Sequence, residues 1–255
     1  MGEIILKILY LDIETAPNKV YTWGLWNQNI GLNQIDEPGY TLCWAAKWAG
    51  ETPVYFASVH HNTKEEMLRQ IYDKIDDADV VVHYNGTKFD MPILMQEFMG
   101  MGWSPPASVV HIDMLKVVRK QFRMLSNKLD YVAGALGIGN KVTHKGMALW
   151  LECMQGCNKA WKDMKRYNIG DVHILEKLYI RLLPWIPNHP NYGLFIETDD
   201  AVCPSCSSSD LQKRGLYYTP TMTYQRFRCN SCGSWSKSRT NNLDKETRKR
   251  IVKGI

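Results

Sequence analysis

No stretch of this 255-residue chain reaches eighteen consecutive apolar residues, so it lacks the pattern of a membrane-spanning helix. Its apolar start, IILKILYLDI, is too short for a secretory signal and meets Asp12 and Glu14 too early. Leu6 stands where a myristoylation signal needs Ser or Thr. Internal repeats and long low-complexity tracts are also absent. The expectation is a soluble protein of the cytoplasm, bacterial or host, with no membrane partner. Seven cysteines do not make a secreted disulfide framework here, because four of them form two tight pairs near the C-terminus, which reads as metal binding.

With 45% apolar and 22% charged residues, the chain has ordinary material for a sizeable core and a length that suits one to two domains. Charge is unevenly placed. Residues 201–255 hold 11 Lys/Arg against 3 Asp/Glu, a surplus of +8, which leaves residues 1–200 with 20 against 23, or −3. The C-terminal end is therefore the one suited to a polyanion, even after a four-thiolate zinc site subtracts two charges.

Residues 4–13 read as a central strand, apolar on both faces, and 41–49 with 52–59 as two more strands joined at Gly50. Thr63 and Glu66 form a capping box ahead of Met67, Leu68, Ile71, Tyr72 and Ile75, the spacing of an amphipathic helix. A short buried strand at 80–85, a helix after Asp90 and Pro92 that ends near Gly100, and a strand at 108–113 follow. From there to about 183 the pattern is mostly helical, with turns at 137–139 and around Gly156. This order implies an α/β fold with a mixed sheet. The proline-rich segment LPWIPNHPNYG marks a linker. The expected organisation is a domain over 1–183, a linker over 184–200, a small cysteine domain over 201–238 and a basic tail over 239–255, helical from 244 to 252 or disordered.

Three stretches carry acidic residues of interest: LDIET (Asp12, Glu14), NGTKFD (Asp90) and YNIGD (Asp171). A strand sends alternate side chains to one face, so Asp12 and Glu14 point the same way from one strand end. Acidic strand ends are common, and an Asp ahead of Met91-Pro92 is ordinarily a helix N-cap. Capping leaves Asn85, Gly86 and Phe89 unexplained, however. Tyr167 and Asp171 stand one helical turn apart on a helix with an apolar stripe, where a carboxylate is costly unless paired or metal-bound. Together the four carboxylates would make an oxygen cage for hard cations such as Mg²⁺ or Mn²⁺. Two such ions about 3.5–4 Å apart serve phosphodiester hydrolysis.

DIET, NGTKFDMPIL and YNIGD together resemble the three exonuclease motifs of the DEDD superfamily of 3′→5′ exonucleases. Tyr167, four residues before Asp171, points to its tyrosine branch, DEDDy. The second motif is especially similar to the proofreading domains of family B DNA polymerases. The resemblance covers roughly residues 1–183 and implies a ribonuclease H-like fold. It implies that Asp12, Glu14, Asp90 and Asp171 hold two Mg²⁺ or Mn²⁺ ions with Asp12 bridging them, that Tyr167 orients the attacking water, and that Asn85 and Phe89 touch the terminal nucleotide. The substrate it implies is single-stranded nucleic acid, DNA ahead of RNA, in phage or bacterial DNA processing, with a polymerase or another replication or recombination protein as a partner. Gly170, inside the third motif, weakens its helix by up to about 1 kcal/mol relative to Ala and so needs a packing reason or a bend. A ribonuclease or structure-specific endonuclease on the same scaffold, and a non-catalytic nucleic-acid adaptor, are the rival readings.

Cys203-Pro-Ser-Cys206 and Cys229-Asn-Ser-Cys232-Gly have the spacing of a zinc ribbon, four thiolates closing one tetrahedral structural Zn²⁺ site. Between and beyond them Lys213, Arg214, Tyr217, Tyr218, Tyr224, Arg226, Phe227, Arg228, Trp235 and Lys237 interleave charge with aromatic rings, as single-strand binders do. Protein docking is the alternative for this segment. Cys153 and Cys157 read as two buried helical thiols rather than ligands with His144. Trp23 and Trp26 either stack on a base or pin a long loop, and Asp113 caps the next helix.

Overall fold

The computed structural model describes residues 6–254, which form two compact units, Lys7–Tyr179 and 180–254. The first two residues of the expected N-terminal strand, Ile4 and Ile5, lie outside the described residues.

In the first unit the chain runs through β1 (Ile8–Thr15), the short pair β2 (Lys19–Val20) and β3 (Ile35–Glu37), then β4 (Thr41–Trp48) and β5 (Tyr55–Ser58). After helix α1 (Lys64–Asp76) come β6 (Val80–His83), α2 (Asp90–Gly100), β7 (Val110–Asp113) and four helices: α3 (Met114–Gln121), α4 (Leu129–Ala135), α5 (Met147–Met154) and α6 (Asn158–Leu182). Five strands make a mixed sheet in the order β5-β4-β1-β6-β7. Strand β1 pairs antiparallel with β4 and parallel with β6, so it is central, as its two-sided apolarity predicts. The turn between β4 and β5 needs Gly50, whose φ of +82° suits no branched side chain.

Alternation along β1 decides what lies on each face. Leu9, Leu11 and Ile13 join the core built with Met67, Leu68 and Ile71 of α1 and Leu94 and Phe98 of α2. Tyr10, on the opposite face, meets Tyr179 of α6 edge-on, which turns Asp12 and Glu14 toward the α6 side. That side has its own core of Leu42, Cys43, Leu149, Cys153, Trp161 and Met164. A largely buried ion pair, Lys47 Nζ to Glu176 Oε2 at 2.5 Å, ties α6 to β4. Helix α1 begins with both halves of the capping box formed between Thr63 and Glu66. It buries Met67, Leu68, Ile71 and Ile75, each of which stabilises the fold by about 1.5–3 kcal/mol. Losing the Thr63 cap would cost about 1 kcal/mol.

The second unit holds an antiparallel sheet, β8 (Leu211–Tyr218), β9 (Thr223–Cys229) and β10 (Trp235–Asn241), with β9 in the middle. Strand β10 carries no strand signal in the sequence. WSKSRTN has one aromatic residue and no aliphatic one, so nothing in it announces a strand. The segment expected as a plain linker contains 3-10 turns at Leu183–Trp185 and Tyr192–Leu194, and the Tyr192 N–H donates to the Pro204 carbonyl. The tail forms a short helix, α7 (Lys245–Arg250), capped by Asp244.

Candidate active site and cysteine centre

Strand β1 and helix α6 bring Asp12, Glu14 and Asp171 together, with ligand oxygens within 4.8 Å of one another. Asp90 stands beside this trio. Its carboxylate accepts from the Ile13 N–H at 3.1 Å, on the backbone between the other two β1 acids. It is the first residue of α2 and not its cap, so the bland capping account of Asp90 does not hold. Asp113, by contrast, does cap α3 through the Leu115 N–H, and it also accepts the Asn85 N–H at 2.9 Å.

That second bond fixes the NGTKFD turn. Asn85 adopts a left-handed φ of 69°, a region that Asn tolerates better than most residues. Gly86 is there because a Cβ would lie 2.4 Å from the His83 ring. Lys88 and Phe89 both donate backbone N–H groups to the Asn85 carbonyl, and Phe89 is left partly exposed at the head of α2. Gly170 likewise has a packing reason: a Cβ would approach Val142 to 3.1 Å, and α6 runs unbroken through it.

Three further residues stand around the acids. Lys141 donates to Asp171 Oδ2 at 2.6 Å and to the Tyr167 hydroxyl at 3.3 Å. Asn168, fully buried, donates to Asp12 Oδ2 at 2.7 Å and so orients that carboxylate. His144 packs edge-on against the Tyr167 ring at 4.7 Å. It makes no metal grouping with Cys153 and Cys157 among the described residues, and Cys157 is exposed where two buried thiols were expected. Lys141 lies in an irregular stretch between α4 and α5, where neither period nor motif points to it.

The electrostatics are those of charges crowded out of water. Burial first, then Glu14, Asp90 and Asp171, hold the Asp12 carboxyl well above its usual range. Burial and then Asp171 push Glu14 up to about 8. Asp90 is raised by burial to about 7, against the pull of the Ile13 N–H. Burial also raises Asp171, although Lys141 draws it down. The Lys141 ammonium is lowered by burial, but Asp171 more than reverses this and keeps it charged. Tyr167 is pushed up by burial and then by Asp171, so its hydroxyl stays protonated.

Asp171 Oδ1 is buried with no hydrogen-bond partner. An orphaned carboxylate oxygen beside two more carboxylates fits a bound hard cation, which would relieve both desolvation and mutual repulsion. Asp12 and Tyr167 border an open cleft of about 610 Å³ that also has Asn85, Arg119, Lys128 and Lys141 on its walls. A cleft bordered by Asp12 and by Arg119, Lys128 and Lys141 suits a phosphodiester entering a divalent-ion site. Trp23 and Trp26 do not pin their loop, since both side chains are almost wholly exposed.

In the second unit the two cysteine pairs form matching knuckles. The Cys203 N–H donates to Ser208 O and the Cys229 N–H to Ser234 O, at 2.8 and 2.9 Å. The residue after each second cysteine, Ser207 or Gly233, takes positive φ. Sulfur separations are 3.6 Å for Cys203–Cys232 and 3.7 Å for Cys206–Cys229. A tetrahedron of thiolates about 2.3 Å from its centre has edges of about 3.8 Å, so the cluster fits one metal ion. Burial raises Cys229, but the N–H groups of Cys232 and Ser231 outweigh it and bring the thiol down to about 7.

Comparison with known proteins agrees with this geometry. A family model described as RNase_H superfamily matches residues 9–183. Among solved structures, the family B DNA polymerase from the hyperthermophilic archaeon Pyrobaculum calidifontis is similar in fold, with a TM-score of 0.53 and 21% identity. That similarity covers 70% of this chain and 25% of the polymerase, so the chain spans about a quarter of that protein. No curated protein matches. With a nuclease-type acidic site at the end of its central strand and a family match over most of its length, this chain belongs to the RNase H superfamily.

Proposed function

We propose that this protein is a divalent-metal-dependent 3′→5′ exonuclease of single-stranded nucleic acid, acting on DNA in preference to RNA. The observation that carries the reading is the trio Asp12, Glu14 and Asp171, with ligand oxygens within 4.8 Å and Asp171 Oδ1 left buried and unpartnered. Asp12, Glu14, Asp90 and Asp171 are the residues that would hold two Mg²⁺ or Mn²⁺ ions. Such ions supply an activated water and stabilise the leaving oxygen. The protonated Tyr167 hydroxyl orients the water, and Lys141 holds one oxygen of Asp171 so that the other faces the site. Asn168 does the same for Asp12. Arg119 and Lys128 meet phosphates at the cleft wall, while Asn85, on the same cleft, and the exposed Phe89 contact the terminal nucleotide.

Direction and sugar are supported by the resemblance of the three motifs to DEDDy exonucleases, and DNA by the likeness in fold to a DNA polymerase. The four cysteines would hold one structural Zn²⁺. A place in phage or bacterial DNA processing, alongside a polymerase or recombination protein, belongs to the same reading.

The test is degradation of end-labelled DNA and RNA oligonucleotides with Mg²⁺ or Mn²⁺. A 5′ label should appear on a ladder of shortening products and a 3′ label at once on a mononucleotide, faster on DNA. Cutting of a circular single strand would show endonuclease action instead, and faster loss of RNA would make the enzyme a ribonuclease.

A further inference from the structure

The strands of the second unit carry six Lys/Arg and no Asp or Glu in LQKRGLYY, TYQRFRC and WSKSRTN. Alternation sorts them. On β9, Tyr224, Arg226 and Arg228 share one face. Register places Lys237 opposite Arg226, Trp235 opposite Arg228 and Tyr217 opposite Tyr224. Arg226, Arg228, Trp235, Lys237 and Tyr217 are exposed, while Phe227, Ser236 and Ser238 on the other face are half-buried.

Cations and rings interleave across the three strands. Lys237 Nζ lies 4.1 Å from the Tyr224 ring centroid and 4.6 Å from that of Tyr217. The Arg226 guanidinium lies 4.9 Å from the Trp235 centroid. None of these cations has a carboxylate partner among the described residues, and the neighbouring Asp210 is bonded to Asn230 at 2.8 Å.

We infer that this face is a binding site for single-stranded nucleic acid, with Arg226, Arg228 and Lys237 on phosphates and Tyr217 and Trp235 under bases. The inference deepens the proposed function by naming where a substrate strand is held. Uncompensated positive charge calls for a polyanion. Exposed ring faces call for unstacked bases, which a duplex does not offer. The shared face has no Leu, Ile or Val, the aliphatic material that the buried centre of a protein interface would use.

The test uses the full chain with a labelled oligothymidine, in buffer without chelator and without Mg²⁺ or Mn²⁺, and reads affinity by fluorescence anisotropy across salt concentrations. Arg226→Gln with Arg228→Gln should weaken binding about tenfold and make the log–log salt slope shallower by about 1.4, from two lost phosphate contacts. Trp235→Ala should weaken binding by about 5-fold or more with the slope unchanged, and Trp235→Phe should restore most of it. Hydrolysis of thymidine 5′-(p-nitrophenyl phosphate), a single nucleotide with no strand for this face to hold, should be unchanged in all of them. These shifts without any hydrolysis by wild type would uphold the binding site and sink the nuclease reading. Wild-type affinity and slope in both the double Gln variant and Trp235→Ala would overturn the inference and leave the face to a protein partner.

Discussion

The two units solve opposite electrostatic problems. The larger one crowds like charges at a buried strand end and tolerates them because a sheet and helices with cores on both faces hold the backbone rigid. The smaller one spreads like charges over an exposed face and has almost no apolar core; its buried cysteines, Cys203 and Cys229, belong to the four-thiolate centre. A packed core can hold unfavourable groups in place, whereas a domain this small buries too little apolar surface to do so, and a metal on its four thiolates would supply what the core does not.

Removing the metal should break the comparison most sharply. Structural Zn²⁺ contributes about 10–16 kcal/mol of apparent binding energy to a small domain, so chelation or Cys229→Ala should open residues 201–241 to protease while the melting of the larger unit is unchanged. An unaltered digestion pattern after zinc loss would mean that the ribbon folds by itself.

In the larger unit, Asp171→Asn should lower hydrolysis about 10³-fold, since it removes charge where ions and developing negative charge meet. Folding should survive, because a mutually repelling carboxylate is lost. Retention of wild-type turnover with Mg²⁺ or Mn²⁺ would refute the acidic site as the reactive centre.

The contrast also has a pH signature. Glu14 and Asp90 titrate near 8 and 7 when folded, against ordinary values of 4.5 and 3.8. Between those values the folded state binds more protons than the unfolded, so metal-free stability is full at pH about 4 and is lost as pH rises toward 8. Both shifts have the same sign, so the two acids add in lowering metal-free stability as pH rises. Thermal melts at pH 5 and pH 8, with and without Mn²⁺, check this; a metal-free protein equally stable at both would show that the acids are better solvated than they look.

The smallest effect concerns Tyr167. Replacing it with Phe keeps the His144 and Trp150 ring contacts and removes only the hydroxyl beside Lys141. Turnover should fall about tenfold with KM nearly unchanged. A raised KM at constant turnover would instead make Tyr167 a binding residue.

Much of this was legible in the chain itself. Strand alternation aligns Asp12 with Glu14, a helical turn aligns Tyr167 with Asp171, and Cys-x-x-Cys spacing marks both knuckles, because each is a local geometric relation that a few residues satisfy alone. The capping box at Thr63 and the Asp113 cap are of the same kind. What stayed hidden depends on segments far apart. Lys141 reaches Asp171 across 30 residues and no period or motif marks it, while Asn168 reaches Asp12 across 156, and its place within YNIGD does not tell of that contact. Asp90 sits on the Ile13 N–H rather than among the other three carboxylates because the pairing of β1 with its neighbours decides which backbone group it meets. Strand β10 exists because β9 has a free edge, not because WSKSRTN prefers to be extended. Local chemistry thus named the acids and the thiolates, while long-range packing alone chose the lysine, the asparagine and the third strand, since an ion pair, an amide contact or an edge pairing is specified by position in space and leaves no spacing in the chain.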